Sequence, residues 1–414
     1  MKVLWVCKGP VPEASKAFGL PVSAKEGWLV NVSDRMGKQP GIDFALAFFS
    51  EKLAQPCEMR RAGATAFWGI KSASDAESIR RVLKLEAPDV VHIWGTENEA
   101  AMRVMEACIA EGIAERAVIS IQGLVGFCSQ HYMGNLPWAA QVVPTLRDVV
   151  RRDTLLMQQR RFAKRGEYEA RALRLAHHAI GRTTWDYACA TEINPEIQYH
   201  FNNETLRPSF YRHRWDLGQC ERFSIFASQA QYPLKGFHNV IEALPAILRR
   251  FPEAKVYVAG ENNAFKGGLL RTAYGAYLVK RMRALGVTDR VRYVGMLQEE
   301  EMCAQFLKAH VFVSPSSIEN SPNSVGEAML LGMPVVSSAV GGVGDLMSHG
   351  VEGYLYQSDA PYMLSHYVCK VFEDDENARR LGESANIRAR STHDPDVNFD
   401  ALLAIYRGII AGGA

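Results

Sequence analysis

Apolar residues along this chain gather in short runs, separated by longer stretches in which they recur every three or four positions; that alternation predicts strands and helices in turn. Lys2 to Cys7 (KVLWVC), Asp89 to Trp94 (DVVHIW), Ala117 to Ile121 and the run ending at Gly181 read as a first series of strands. Phe223 to Ser228, 255 to 260 (KVYVAG), 290 to 295 (RVRYVG), Val311 to Val313 and the Val335-Val336 run form a second series. Between them Gly41 to Leu53, Ser74 to Leu85, Ala101 to Gly112 and Arg147 to His178 read as helices, while the segment after Cys7 is a loop rich in Gly and Pro. Repeated strand and helix units predict an α/β fold with doubly wound parallel sheets. The polar stretch Asn202 to Arg222 reads as a linker, which divides the chain into 1–205 and 206–395, with a final helix in 396–414.

The stretch 311–345 holds the densest functional pattern. A strand at Val311 to Val313 feeds a polar loop, Ser314 to Ser321, and a helix follows in which Ser321 is the expected cap, Pro322 suits the first turn, and Gly332 with Pro334 makes the stop. Val325, Ala328 and Met329 form its apolar stripe, whereas Asn323, Ser324 and Glu327 share another face. The N–H groups of Asn323, Ser324 and Val325 are expected to point out of the helix mouth, where the dipole presents roughly half a positive charge. Such an end can hold a diphosphate, with one acid on either side taking hydroxyls: Glu327 those of a ribose, Glu319 those of a sugar. Two glutamates at this spacing also arise by chance on solvated helix faces, and it is the surrounding strand, loop, cap and stop that favour a nucleotide-sugar site.

Length, charge and cysteine content narrow the class. A chain of 414 residues is long for one core, and 47 basic against 45 acidic residues implies neither a nucleic-acid binder nor a disordered protein. Eight scattered cysteines with no C-x-x-C pair suggest reduced thiols in a cytoplasmic setting. Lys2 to Cys7 is better read as a strand than as a signal segment, and no apolar run is long enough to span a bilayer. No Walker loop or G-x-G-x-x-G follows a strand. Asp394-Pro395-Asp396 precedes a helix and reads as its cap, so neither a metal nor a cofactor is expected.

Glu319, seven residues and Glu327, followed by Gly332-Met333-Pro334 and the glycine turn GGVGDLM at 341–347, resemble the signature of the retaining GT-B glycosyltransferases of glycosyltransferase family 4. The resemblance implies two Rossmann-like domains facing across a cleft, a last helix crossing back to the first domain, and a nucleoside-diphosphate sugar as donor. Asp345 replaces or shifts the last acid of the family's turn and is given no role. In the family a Lys-Gly pair after the first strand of the second domain is preceded by an Arg, and both cations reach the diphosphate. Here the pair is Lys235-Gly236 and the earlier position is Gln229, so Lys235 and the helix mouth carry the leaving group. A desolvated ion pair at ~4 Å contributes on the order of 4 kcal/mol at an effective dielectric near 20, more than a helix dipole does.

Further positions follow from the same resemblance. Asn320 and Ser321 lie beside the donor, and Met296 and Leu297 border the nucleobase. Gly27 approaches the donor phosphate in KEGWLV, which looks like a GGW element with Glu26 in place of its first Gly; Trp28 faces the sugar or fills the core. Many members place a His after the strand that ends here at Ile121. This chain has Gln122, followed by Gly123, and a Gln can bond a hydroxyl but cannot take a proton. His131 is the nearest substitute, against a solvated loop histidine. Thr96 and Glu97, past a strand end, suit an acceptor, whereas His92 within that strand reads as a core histidine. Arg182, Thr183, Trp185 and Asp186 resemble a GRTxWD element of polysaccharide-type members and are expected at the cleft side of the first domain, with Arg182 on the acceptor or sugar side.

The basic run from Arg147 to His178 is a wet helix face or a contact with an anionic membrane. The expected activity is therefore retaining, metal-independent transfer of a hexosyl group from a nucleoside-diphosphate sugar, UDP before GDP, to a glycan or lipid-linked glycan in surface polysaccharide synthesis. Such an enzyme would work in the cytoplasm or at the inner membrane face. The rivals are a GT-B nucleotide-sugar epimerase and an inactive scaffold of a polysaccharide-assembly complex.

Overall fold

The computed structural model describes residues 1–22, 29–262 and 270–412. Gly27 and Trp28 therefore lie outside the described residues. Two sheets organise the rest, each the centre of its own compact unit.

The first sheet contains β1 (Lys2–Cys7), β2 (Asp43–Phe49), β3 (Cys57–Ala62), β4 (Thr65–Ile70), β5 (Val90–Trp94), β6 (Ala117–Ser120), β7 (His178–Gly181) and β8 (Gln198–Phe201) in the order β3-β4-β2-β1-β5-β6-β7-β8. Every neighbouring pair is parallel except β3 with β4. The second sheet is wholly parallel: β9 (Glu221–Ala227), β10 (Lys255–Ala259), β11 (Val291–Gly295), β12 (Ala309–Ser314), β13 (Val335–Ser338) and β14 (Tyr354–Tyr356), ordered β11-β10-β9-β12-β13-β14. Strand order reverses between β1 and β5 in one sheet and between β9 and β12 in the other. In doubly wound sheets, ligands bind outside the carboxyl ends of strands at such a switch.

Three expectations are corrected. The apolar run expected as a helix at Gly41 to Leu53 is β2, whose residues Phe44 to Phe48 are all buried. A strand covered on both faces shows no alternation, so periodicity alone cannot separate it from a buried helix. The Gly- and Pro-rich loop before it carries two helices, Pro12–Phe18 and Val30–Lys38. The stretch expected as a linker is packed instead. It forms a helix at Pro208–Arg212, buries Phe210 and Trp215, and sends the Trp215 indole N–H to the Ala309 carbonyl at 2.8 Å.

One unit comprises 1–127, 163–205 and 394–414; the other comprises 128–162 and 206–393. Segment 128–162, placed in the first domain by the sequence reading, thus belongs to the second unit. The last helix, Pro395–Gly412, belongs to the first, where Phe399, Leu402, Leu403, Tyr406 and Ile409 are buried. Asp394 starts that helix by accepting the N–H groups of Asp396 and Val397 at 2.9 and 3.0 Å, so it is a cap.

Tyr406 ties the helix to the sheet. Its hydroxyl receives the Trp5 indole N–H at 2.9 Å and bonds the His92 Nδ1, while His92 Nε2 meets the Ser120 hydroxyl at 2.6 Å. Burial pushes His92 down to about 3, so the ring is neutral at physiological pH. It is a satisfied core histidine.

Candidate functional site

The site in the second unit starts from two loops leaving adjacent strands at the point of order reversal. After β9 the chain makes a tight turn, Pro233–Lys235, and Gly236 at φ 65° begins the helix Phe237–Arg250. Val240, Leu244 and Ile247 hold that helix in the core as their spacing predicts. After β12 runs the loop that contains Glu319. The two loops are joined by the Ser317 N–H donating to the Leu234 carbonyl at 2.8 Å. Gly236 lies so close to the second loop that a Cβ there would stand 1.7 Å from the Pro315 carbonyl oxygen. Only glycine meets both conditions, a left-handed backbone and no room for a side chain.

This contact brings Lys235 to Glu319. The Lys235 ammonium donates to Glu319 Oε1 at 2.6 Å, and the Ser316 hydroxyl donates to the same oxygen at 2.7 Å. Burial works against the ammonium, but the Glu319 carboxylate and the Tyr232 hydroxyl outweigh it, and the Lys235 amine is raised and stays charged. The Glu319 backbone is fixed from a third side. Its carbonyl accepts the Gly342 N–H at 3.1 Å, and a Cβ on Gly341 (φ 51°) would sit 1.9 Å from that oxygen. The glycine turn at 341–342 is therefore a backbone support for Glu319, which sequence reasoning missed although the turn itself is legible.

The helix beside it, Asn323–Leu331, starts differently from the expectation. Its N-cap is Pro322, no side chain caps it, and Ser321 does not act as a cap. The Val325 N–H is bonded to the Pro322 carbonyl at 2.9 Å, so of the three expected donors only those of Asn323 and Ser324 have no backbone acceptor among the described residues. Gly332 at φ 74° ends the helix as predicted.

Glu327 is engaged by protein. Arg207 clasps it bidentately, Nε to Oε1 at 2.6 Å and Nη2 to Oε2 at 2.7 Å, and the Glu327 side chain is 4% exposed. Burial pushes the carboxyl up and the guanidinium pulls it back; Arg207 remains charged because Glu327 offsets the burial that opposes it. Nothing in the local sequence pattern announces a partner 120 residues away. Asn320 is buried, Ser321 half-buried and Gln229 exposed. Met296 is exposed past β11, and Leu297 packs on the core of this unit. His131 is exposed and lies in the second unit, not the first where it was expected.

In the first unit, the positions expected to face an acceptor are mostly committed to structure. Thr96 is fully buried; its hydroxyl lies 2.8 Å from the Gly123 carbonyl and 2.9 Å from Glu169 Oε2. Arg182 is buried too. Its guanidinium pairs with Glu204 at 2.5 Å and bonds the Ile121 carbonyl at 3.2 Å, with Gln122 Oε1 at 3.5 Å. Thr183 and Asp186 form a capping box on the helix Thr184–Ile193, so these two residues of the GRTTWD element initiate that helix. The cavity lined by Gln122, Arg182 and Glu204 is about 40 Å³, room for water and too small for a sugar ring. Glu97 is half-buried; burial raises its carboxyl, opposed by Arg165 and Lys8.

Glu169 is a buried neighbour of Thr96 that no local sequence pattern announces. On the helix Leu155–Leu175, it accepts the N–H groups of Val125 and Gly126, each at 3.1 Å, as well as the Thr96 contact. Burial pushes it up to about 7 against those hydrogen bonds. One Thr96 hydrogen cannot serve both Glu169 and Gly123; a protonated Glu169 donates to Thr96 and frees it for Gly123. Since the folded pKa is raised, the folded state holds the extra proton between about 4.5 and 7. Its contribution to stability is full below the unfolded pKa and is lost as pH rises through about 7. Glu169→Gln should remove this slope, read as melting temperature against pH from 5.5 to 8; an unchanged slope would mean that another group titrates.

The basic run is not one helix. Leu146–Val150 and Leu155–Leu175 are separated by Arg152 at φ 50°, and Leu155, Leu156 and Phe162 pack into the second unit's core. Those apolar residues are not available to lipid. Among the described residues, no helix is long and apolar enough to cross a membrane.

Two parallel α/β units with these switch points define the GT-B fold of glycosyltransferases. Sucrose-phosphate synthase from Thermosynechococcus elongatus superposes with a TM-score of 0.71 over all of both chains at 14% identity. HepE from Anabaena, in complex with UDP-glucose, gives 0.64 at 16% identity over 99% of this chain and 100% of that one. At these identities the likeness is one of fold. Residues 211–388, which lie within the second unit, match the family described as Glycosyl transferases group 1. The glycogen synthase of Mycobacterium tuberculosis is 28% identical over 182 residues, 44% of this chain and 41% of that protein, so the likeness spans less than half the length of this relative.

Proposed function

We propose that the chain is a retaining glycosyltransferase that moves a hexosyl group from a nucleoside-diphosphate sugar, UDP before GDP, to a hydroxyl of a glycan or lipid-linked glycan in surface polysaccharide synthesis. The observation that carries this reading is the convergence of Lys235 and Glu319 from β9 and β12 at the strand-order reversal, next to the start of the helix Asn323–Leu331. The group 1 match over 211–388 supports transfer from a nucleotide sugar, and the UDP-glucose complex of HepE supports uridine.

In this reading the diphosphate takes the Lys235 ammonium and the N–H groups of Asn323 and Ser324. Glu319, relieved of its cation by the incoming phosphates, turns its carboxylate to the sugar hydroxyls and the positive charge that develops at the anomeric carbon. A carboxylate offers about four lone-pair sites and Arg207 takes two, which leaves Glu327 two for ribose hydroxyls. Gln122 cannot accept a proton, so the departing phosphate serves as the base for an acceptor that attacks from the same face. That geometry gives retention, and no metal ion has a role in it.

Incubation with UDP- and GDP-sugars, followed by nucleotide release with and without glycan acceptors, tests the reading. Acceptor-dependent release with an α-linked product from an α-linked donor is expected. Isomerised sugar without transfer would identify an epimerase. Absence of donor binding would identify a scaffold, consistent with Gln229 in place of a second cation.

A further inference from the structure

Residues 137–152 of the second unit have an inverted polarity. Asp148 is 1% exposed, and its carboxylate accepts the Ala273 N–H at 2.7 Å and pairs with Arg147 at 2.9 Å. The Thr145 hydroxyl donates to the Arg271 carbonyl at 2.9 Å, and the Gln141 amide donates to the Leu136 carbonyl at 2.7 Å. Polar groups thus anchor the segment to the body, and its apolar side chains face water.

Those side chains are Trp138, Val143, Leu146, Val149 and Val150, between 54% and 74% exposed. Five of the seventeen large apolar side chains that are exposed among the described residues fall in these thirteen positions, a concentration that single surface residues do not produce. Charge lies at one end. Arg151 and Arg152 are exposed and make no ion pair among the described residues, and Arg161 donates to the Arg152 carbonyl at 2.6 Å. The nearby acids are taken: Asp148 by Arg147, and Asp153 by Arg147 and Arg161.

We propose that this surface seats the second unit on a bilayer with anionic headgroups, Trp138, Val143, Leu146, Val149 and Val150 entering the interface and Arg151 and Arg152 meeting lipid phosphates. Charge complementarity decides the occupant. A two-fold contact of this surface with itself would offer these arginines no free acid, because the carboxylates beside them are already paired. An anionic membrane supplies the missing counter-charge and accepts aliphatic and indole groups at shallow depth. Because Asp148 and Thr145 already fix the backbone, insertion orders nothing new. The basic helix that follows, whose apolar residues are turned inward, is not the anchor. The inference is independent of the transferase reading.

The full chain should co-sediment with phosphatidylglycerol–phosphatidylcholine vesicles and not with phosphatidylcholine alone, with binding that weakens as salt is raised. Arg151→Ala with Arg152→Ala should lower partitioning more than tenfold, each arginine counting for about fivefold near an anionic surface. Trp138→Ser with Val150→Ser should do the same while leaving the melting temperature in the absence of vesicles unchanged, which serves as the folding control. Equal partitioning by wild type and variants, or no binding to anionic vesicles, would overturn the proposal. A concentration-dependent dimer abolished by Trp138→Ser with Val150→Ser, without vesicle binding, would reassign the surface to self-association.

Discussion

Glu319→Gln is expected to lower turnover by at least a thousandfold while nucleotide-sugar affinity stays within tenfold, about 1.4 kcal/mol. The asymmetry follows from the two demands on this carboxylate. It is the counter-ion of Lys235 at 2.6 Å, and in the proposed mechanism it is also the negative charge that faces a sugar held beside that cation. Removing the charge frees Lys235 for phosphate, and in binding this compensates for the weaker hold on the sugar hydroxyls. Nothing compensates in the transition state, where positive charge appears on the sugar and only an anion answers it. Stopped-flow binding with steady-state rates separates the two effects. Equal falls in affinity and turnover would reduce Glu319 to a binding residue, and an unchanged rate would remove it from the chemistry. Lys235→Met should show the opposite balance, with donor affinity falling by about a hundredfold or more.

Gly236→Ala is expected to be nearly as damaging, although it removes no functional group. Its φ of 65° already strains an L side chain by about 1 to 3 kcal/mol. The added Cβ would in addition stand 1.7 Å from the Pro315 oxygen, and a backbone carbonyl cannot rotate away as a side chain can. The loops after β9 and β12 must separate, and with them Lys235 and Glu319. Gly286→Ala is the matched control: its φ is 67° and nothing lies within 4 Å of its Cβ position. Both variants should carry the strain energy, but only Gly236→Ala should weaken donor binding by more than tenfold. Similar binding by the two would mean that the loop contact does not set the site.

How much of this is legible in the sequence depends on the range over which each signal acts. Glu319, Lys235 and the helix Asn323–Leu331 can be found because their spacing is local and glycine stops mark the ends. The strand β2 reads as a helix because FALAFF is apolar on both faces, and the strand partners that decide the matter lie elsewhere in the chain. The hold of Arg207 on Glu327 and of Glu169 on the Val125–Gly126 amides join residues 120 and 44 positions apart, and no window of the sequence contains both ends. The GRTTWD element shows the converse case, a local signal with a local structural use. Its Thr-x-x-Asp spacing is a legible capping box, whereas the resemblance spoke only of the cleft side of the first domain.

The tie between Tyr406, Trp5 and His92 also sets an order of events during synthesis. The first sheet's covering helix is made after roughly 190 residues that belong to the other unit. At about 5 to 20 residues per second, the nascent amino-terminal half waits on the order of 10 to 40 seconds for the piece that closes it. The second unit is complete in sequence before the helix that closes the first sheet is made, and the sheet left open in the interval is a natural client for chaperones.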